Sequence, residues 1–300
     1  MEHSLVFQEK FEQLLSFLDV KGNELCDFLK EPTNLIEHYE NRLHQLPAEK
    51  AFSLSEKLNL DYESFVKGKY DPLAASEHLK GNHLYLPSRY NQYRSSKMMT
   101  MSNILDTSTF FFDQNVTSEI SRKLQLSNEL IESPNHQVSG LLLLDLFKEL
   151  KRRGISDNYF YLIGHRAALK YKSSVNKEYQ IKGLSPKYTY EKIILNLVNF
   201  LEKNLQYTIV KSTNKKTILK ASTREETKDK LKVIHFGIPA HCQNIMGWYG
   251  AFLNYSHDTF AKVTKLSCVH SGAKDCLYEI DYSHAPQSLF SHPNHCETLQ

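Results

Sequence analysis

The hydrophobic period changes once along this chain, and that change limits the fold more than any single motif does. Up to about residue 203 the apolar residues recur three and four apart, as on the buried stripe of a helix. From Gln206 to Tyr282 they fall mostly in short β-prone runs separated by turns. Helices first and strands afterwards predict an α+β chain, with an N-terminal all-α bundle and a C-terminal α/β unit with antiparallel strands.

The helical stretch is punctuated. Phe7, Phe11, Leu14, Leu15 and Leu18 form one stripe, and Gly22 and Asn23 end it. Asn34 followed by Glu37 reads as a capping box, Pro47 as a helix start, and Asp61 to Val66 as a last short helix. Residues 71–108 carry little periodic signal and read as a basic and aromatic linker. Helical pattern returns over Val116 to Glu132, Val138 to Arg153 and Tyr188 to Lys203, and again over Ala240 to Tyr255. The expected strands are Gln206 to Lys211, Thr217 to Ser222, Leu231 to Phe236, Val263 to Val269 and Leu277 to Tyr282. Residues 284–300 read as a tail.

The chain's 300 residues suggest two domains, and the 41% hydrophobic share is enough to pack them. Charged residues interrupt the first fifteen positions, and the leucine run 141–144 is far too short for a span. These features predict a soluble, cytoplasmic protein with no membrane partner. Five cysteines in such a chain argue against a disulfide framework. Four of them, Cys242, Cys268, Cys276 and Cys296, crowd into the last 59 residues, and seven of the fourteen histidines lie beyond residue 234. No phosphate-binding loop, dinucleotide fingerprint, zinc-protease motif or nucleophile elbow is present, so no catalytic residue is assigned and the expectation is a non-enzyme.

Residues 5 to 68, with Glu24-Leu25-Cys26, Tyr39-Glu40-Asn41-Arg42 and Leu46-Pro47 at their spacing, resemble a Cro/repressor-type helix-turn-helix domain. That resemblance implies DNA binding, a dimer and a role in transcription regulation. The candidate contacts are Asn34, His38 and Arg42, joined by Arg89, Arg94 and Lys97 from the acid-free stretch His78 to Leu105. Charge opposes this. Residues 1–70 hold eight lysines and arginines against thirteen aspartates and glutamates, whereas phosphate contact needs cations. Protein docking or self-association through the same fold therefore stays open beside DNA.

The run from Cys268 to Tyr282, two cysteines eight residues apart across a Gly-containing turn, resembles the end of the 4-vinyl-reductase domain, as does Gly247-Trp248-Tyr249-Gly250 before it. That group is related to haem-based nitric-oxide sensors. The resemblance implies a sensor domain over residues 109–283 and a zinc held by Cys268, Cys276 and the upstream Cys242. For the fourth ligand His270, His241 and Asp258 remain open, and ordinary buried thiols are the alternative to a metal. There is no Tyr-x-Ser-x-Arg haem motif. Tyr188, Tyr190, Trp248 and Tyr249 are the candidates to line a pocket for a small apolar ligand. The combined expectation is a ligand- or partner-responsive transcriptional regulator, or else a non-DNA-binding adaptor.

Overall fold

A computed structural model describes residues 2–18, 47–198 and 203–285. It is an α+β structure, with helices and two antiparallel sheets among the described residues. The first helix, α1 (Glu2–Leu18), lays Phe7, Phe11 and Leu14 against α2 (Ala48–Lys57) and α3 (Tyr62–Val66). Phe65 is fully buried and meets Phe7 edge-on at 5.1 Å between ring centroids. Asp61 caps α3 by accepting from the Ser64 amide at 2.8 Å. Ala75 and Leu79 of α4 (Pro72–Leu79) join the same cluster.

Residues 71–108, expected as a linker, are folded and packed. After α4, the two-residue strand β1 (Ser96–Lys97) pairs with β2 (Gln137–Val138). The next helix, α5 (Met98–Phe111), buries Met98, Met101, Ile104 and Leu105. They share a second core with Tyr90 and Leu86, with α6 (Gln114–Lys123), and with Leu142, Leu143, Leu146, Phe147 and Leu150 of α7 (Gly140–Arg152). The stripe in α5 was masked in the sequence by interleaved serines and threonines, whose hydroxyls instead bond back to helix carbonyls. Asn204, fully buried, ties this segment to the sheet by accepting from Ser95 Oγ at 2.7 Å and donating to Ser96 Oγ at 3.2 Å.

Two helices form the centre of the C-terminal half. Along α8 (Asp157–Lys170) Gly164 faces α12 (Pro239–Phe252), and along α12 Gly247 faces α8. A Cβ on Gly164 would stand 2.0 Å from the Asn244 carbonyl oxygen, and one on Gly247 2.0 Å from that of Tyr161. The backbones therefore touch, and no side chain fits between them. In chain order α8 and α12 are separated by α9 (Lys172–Tyr179), α10 (Pro186–Lys192), which runs into a π-turn at Ile193–Val198, and α11 (Glu225–Leu231), among other elements.

The other side of α12 receives the sheet. Its strands β3 (Leu205–Ser212), β4 (Lys216–Thr223), β5 (Lys262–Ser267) and β6 (Cys276–Asp281) lie in the order β3-β4-β6-β5, all antiparallel. Leu219 and Ala221 of β4, with Tyr278 and Ile280 of β6, point into a core shared with Ile245, Tyr249 and Phe252. The outer strands each carry a register shift, between Ile209 and Lys211 in β3 and between Lys265 and Ser267 in β5.

One expected strand is absent. Leu231 ends α11, Lys232 turns left-handed at φ 55°, and Val233 to Phe236 continue without ladder pairing. Acidic residues in the first turn of α11 and lysines toward its end suit the helix dipole, which alternation alone did not reveal.

Overpacking at the glycine contact gives a test of this arrangement. Gly247→Ala should lower unfolding free energy by about 3 kcal/mol or more in chemical denaturation. A loss within experimental error would mean that the two helices do not touch there.

Candidate metal centre

The three thiols arrive from two elements. Pro239 occupies the first turn of α12, a position that lacks the need for an amide donor, and Cys242 follows three residues later. Cys268 stands just after β5 and Cys276 begins β6. The connection is a tight knuckle. The Ser271 and Ala273 amides both donate to the Cys268 carbonyl, at 3.0 and 3.1 Å. Gly272 follows at φ 87°, a left-handed position that favours glycine. Ser267 Oγ donates to the Asp275 carbonyl at 2.9 Å and closes the base of the turn.

Folding this way puts Cys242, Cys268 and Cys276 together, all buried, with every pair of sulfurs within 4.8 Å. Cys268 Sγ lies 3.8 Å from both Cys242 Sγ and Cys276 Sγ. That spacing is informative. Zinc–sulfur bonds of about 2.3 Å at tetrahedral angles place sulfurs about 3.8 Å apart. A disulfide needs about 2.05 Å. The donor set and its spacing therefore fit a thiophilic cation such as zinc, with Cys242, Cys268 and Cys276 as the holding residues.

The electrostatics agree. The Cys276 thiol is shifted down, chiefly because the Cys242 thiol donates to its sulfur, and the Val269 amide and Cys268 add to this against the opposing effect of burial. The Val269 amide reaches that sulfur at 3.5 Å. Cys242 is shifted up in return, by the same bond first and by burial second. The cluster thus favours one thiolate before any cation arrives, and a cation would stabilise all three.

Beside the sulfurs lies a cavity of about 20 Å³, lined by His241, Cys242, His270 and Cys276 among others. His270 sits in the knuckle, exposed to solvent, and the partial burial of its ring shifts it down while the Cys276 sulfur pulls it up. His241 is fully enclosed, and burial pushes its imidazole down to about 3. Neither imidazole completes a 4.8 Å group with the sulfurs among the described residues. Asp258, the third candidate for the fourth position, is out of reach. It is fully exposed on a turn and pairs with Lys172 at 3.8 Å.

The expected pocket residues go elsewhere. Tyr190 is buried, stacks on Tyr282 at 5.4 Å and donates to the Tyr249 carbonyl at 2.6 Å. Tyr249 packs on Tyr278, and Trp248 lies between Tyr171 and Phe252. Tyr188 is half exposed. Three of the four thus serve packing, because large rings at helical spacing are what the layer between α12 and the sheet needs.

Among the expected DNA contacts, Asn34, His38 and Arg42 lie outside the described residues, as does Cys296. Arg89 is held by Asp145, with Nε donating at 2.7 Å. Arg94 Nε donates to Asn91 Oδ1 at 2.7 Å, and Lys97 lies in β1 opposite Gln137. Residues that the sequence did not single out include Gly237, where a Cβ would come within 3.0 Å of His241 Nδ1 and 3.6 Å of His270 Nε2, and Phe147 and Phe236, which flank His241.

The chain matches no protein-family model and no curated protein. Among solved structures it is similar to a mutant of the Fe(II) unliganded H-NOX protein from K. algicida. That similarity has a TM-score of 0.42 and 11% identity, covering 64% of this chain and 98% of the other. No helix of the described residues is long and apolar enough to cross a membrane.

Two measurements follow. Purified chain should carry zinc in elemental analysis, and Cys268→Ser should carry little; equal content in both would remove the metal centre. The second concerns His241. Its folded value of about 3 lies below the ordinary 6.5. Stability from this group is therefore complete above pH 6.5 and is lost as pH falls toward 3, because only the unfolded chain takes up the proton. The loss reaches about 2 kcal/mol by pH 5. In zinc-free protein, His241→Gln should flatten this acid limb of the unfolding profile, and an unchanged slope would contradict the assignment.

Proposed function

We propose that this chain is a non-catalytic regulatory protein whose C-terminal half is a zinc-fastened scaffold for protein contacts. The buried three-sulfur cluster carries this reading. Thiolate-rich zinc sites enclosed by protein are structural, whereas catalytic ones keep an open position and mix in nitrogen or oxygen donors. The fastened elements are the helix and hairpin that bound the largest core, so metal occupancy would set the rigidity of the whole half.

Contact with protein is favoured over contact with DNA by two features. Arg89, the cation best placed to follow the front helices onto phosphates, is already paired with Asp145. An exposed aromatic surface lies at the end of α5 and on α8, where Phe110, Tyr159 and Leu162 are each more than one-third exposed. Phe111 and Phe112 pack against Tyr159 and complete it. Aromatic surface of this kind is enriched where proteins meet. Self-association through it would supply the dimer that the helix-turn-helix resemblance implies.

The expected result in fluorescence titration with duplex DNA at low salt is weak binding only. Tight binding that falls steeply with added salt would instead support a DNA-binding regulator. In sedimentation, Phe110→Ser combined with Tyr159→Ser should shift the chain toward monomer. A wild type that stays monomeric at all concentrations would defeat the self-association part.

A further inference from the structure

A cleft of about 550 Å³ opens where the front helices meet the middle core, and none of the three thiols lines it. Its walls come from α1, from residues 68–73 and 87–90, and from the end of α6 with Leu124 and Gln125. These walls are fixed to one another. Gly68, at φ 62°, lies so close to α1 that a Cβ there would stand 2.9 Å from the Val6 carbonyl oxygen. Asp71 ties the remaining segments. Its amide donates to Gln125 Oε1 at 2.6 Å, and its carbonyl accepts from Gln125 Nε2 at 3.1 Å. Its carboxylate accepts from the Ser88 amide at 2.7 Å. The concave shape is thus held by the protein itself, which spares a ligand the cost of ordering it.

The lining is cationic. Lys10, Lys69, Arg89 and Lys123 face a single carboxylate, Asp71, among the lining residues. Asp71 is occupied, since it also caps α4 by accepting from the Ala74 amide at 3.1 Å. Two of the cations are occupied as well. Arg89 pairs with Asp145 at 2.7 Å and Lys123 with Glu149 at 3.1 Å, both acids standing on α7. Neither Lys10 nor Lys69 forms an ion pair among the described residues, and Lys10 Nζ donates to the neutral Gln13 side-chain oxygen at 3.3 Å. Two ammonium groups without a carboxylate, in a recess with two further cations, suit a compact phosphate. A nucleic acid would need a longer row of open cations, because its binding draws on several phosphate contacts at once. Part of the wall is apolar. Phe17, 39% exposed, and Leu73 offer surface to a carbon skeleton.

We propose that this cleft binds a small organic phosphate, with the phosphoryl groups on Lys10 and Lys69 and the apolar part against Phe17 and Leu73. A ligand there touches α1 and the middle core at once, so its occupancy fastens the front helices to the rest of the chain.

Calorimetric titration of the full chain at low salt, without divalent cations, tests this with inorganic triphosphate and ATP as probes. Both should bind. ATP carries the same phosphate chain and should bind at least about 3-fold more tightly through its ring system. Lys10→Gln and Lys69→Gln should each weaken both probes by about 5-fold or more, the loss of one charge-assisted bond. Lys69→Arg should retain binding. Phe17→Ser should remove the advantage of ATP and leave triphosphate unchanged. Lys182→Gln, the same change of charge at an exposed position outside the cleft, should alter neither. Absence of binding overturns the proposal, as does a loss in Lys182→Gln equal to that in Lys69→Gln. Equal affinity for ATP and triphosphate overturns the organic part. Duplex DNA that displaces ATP at a lower phosphate concentration than triphosphate does overturns the choice of a small ligand.

Discussion

The bare contact between α8 and α12 is the constraint on which the C-terminal half depends. Two glycines, Gly164 and Gly247, let one backbone rest on the other's carbonyl oxygens. That closeness fixes the distance and rotation of α12. The same helix then carries His241 and Cys242 at its start and Tyr249 and Phe252 further along. Its far face becomes the floor on which β4 and β6 lay Leu219, Ala221, Tyr278 and Ile280. If α12 moved outward by the thickness of a methyl group, Cys242 would leave the position where its sulfur lies 3.8 Å from that of Cys268. The thiol cluster is thus set by helix packing as much as by the turn that brings Cys268 and Cys276 together.

Much of this was legible in the residues. The switch of period marked where helices give way to strands. The spacing of Cys268 and Cys276 across Ser271-Gly272 marked the knuckle. The third sulfur, Cys242, followed from what the 4-vinyl-reductase resemblance implies about an upstream cysteine. What remained hidden has physical causes. The stripe Met98, Met101, Leu105 was obscured because serines and threonines lie between its members and satisfy their hydroxyls within the helix. The aromatic residues taken for pocket walls, Tyr190 and Tyr249, have nothing in their local sequence to separate a ring that lines a cavity from one that fills a core. That distinction depends on neighbours far away in the chain, such as Tyr282 and Tyr278. Gly237 belongs with them, because its role is the clearance it leaves between two histidines on different elements.

Charge shows a similar division. The acid-free stretch from His78 to Leu105 looks like a cationic tether when read by itself. In the fold its carboxylate partner comes from α7, 56 residues away, where Asp145 takes both Arg89 and Lys148. Asp145 is held below its usual range by those two cations, Arg89 first, against the raising effect of its own burial. The pair is partly exposed, so it adds little stability in water. Its effect is to anchor the segment after α4 onto the middle core.

The register shifts in β3 and β5 have an effect beyond local geometry. Both fall on the outer strands of the sheet, and the central pair β4 and β6 is in continuous register. An outer strand that is bent and out of step offers only a short run of correctly spaced amides and carbonyls to a foreign strand. Val210 and Leu266, both more than half exposed, sit at those interruptions. They are apolar residues that would otherwise invite another chain to add to the sheet. With the hydrogen-bonding rim broken on both sides, the sheet ends where it is, and crowded copies of this protein are left to meet through side chains instead of growing into fibrils.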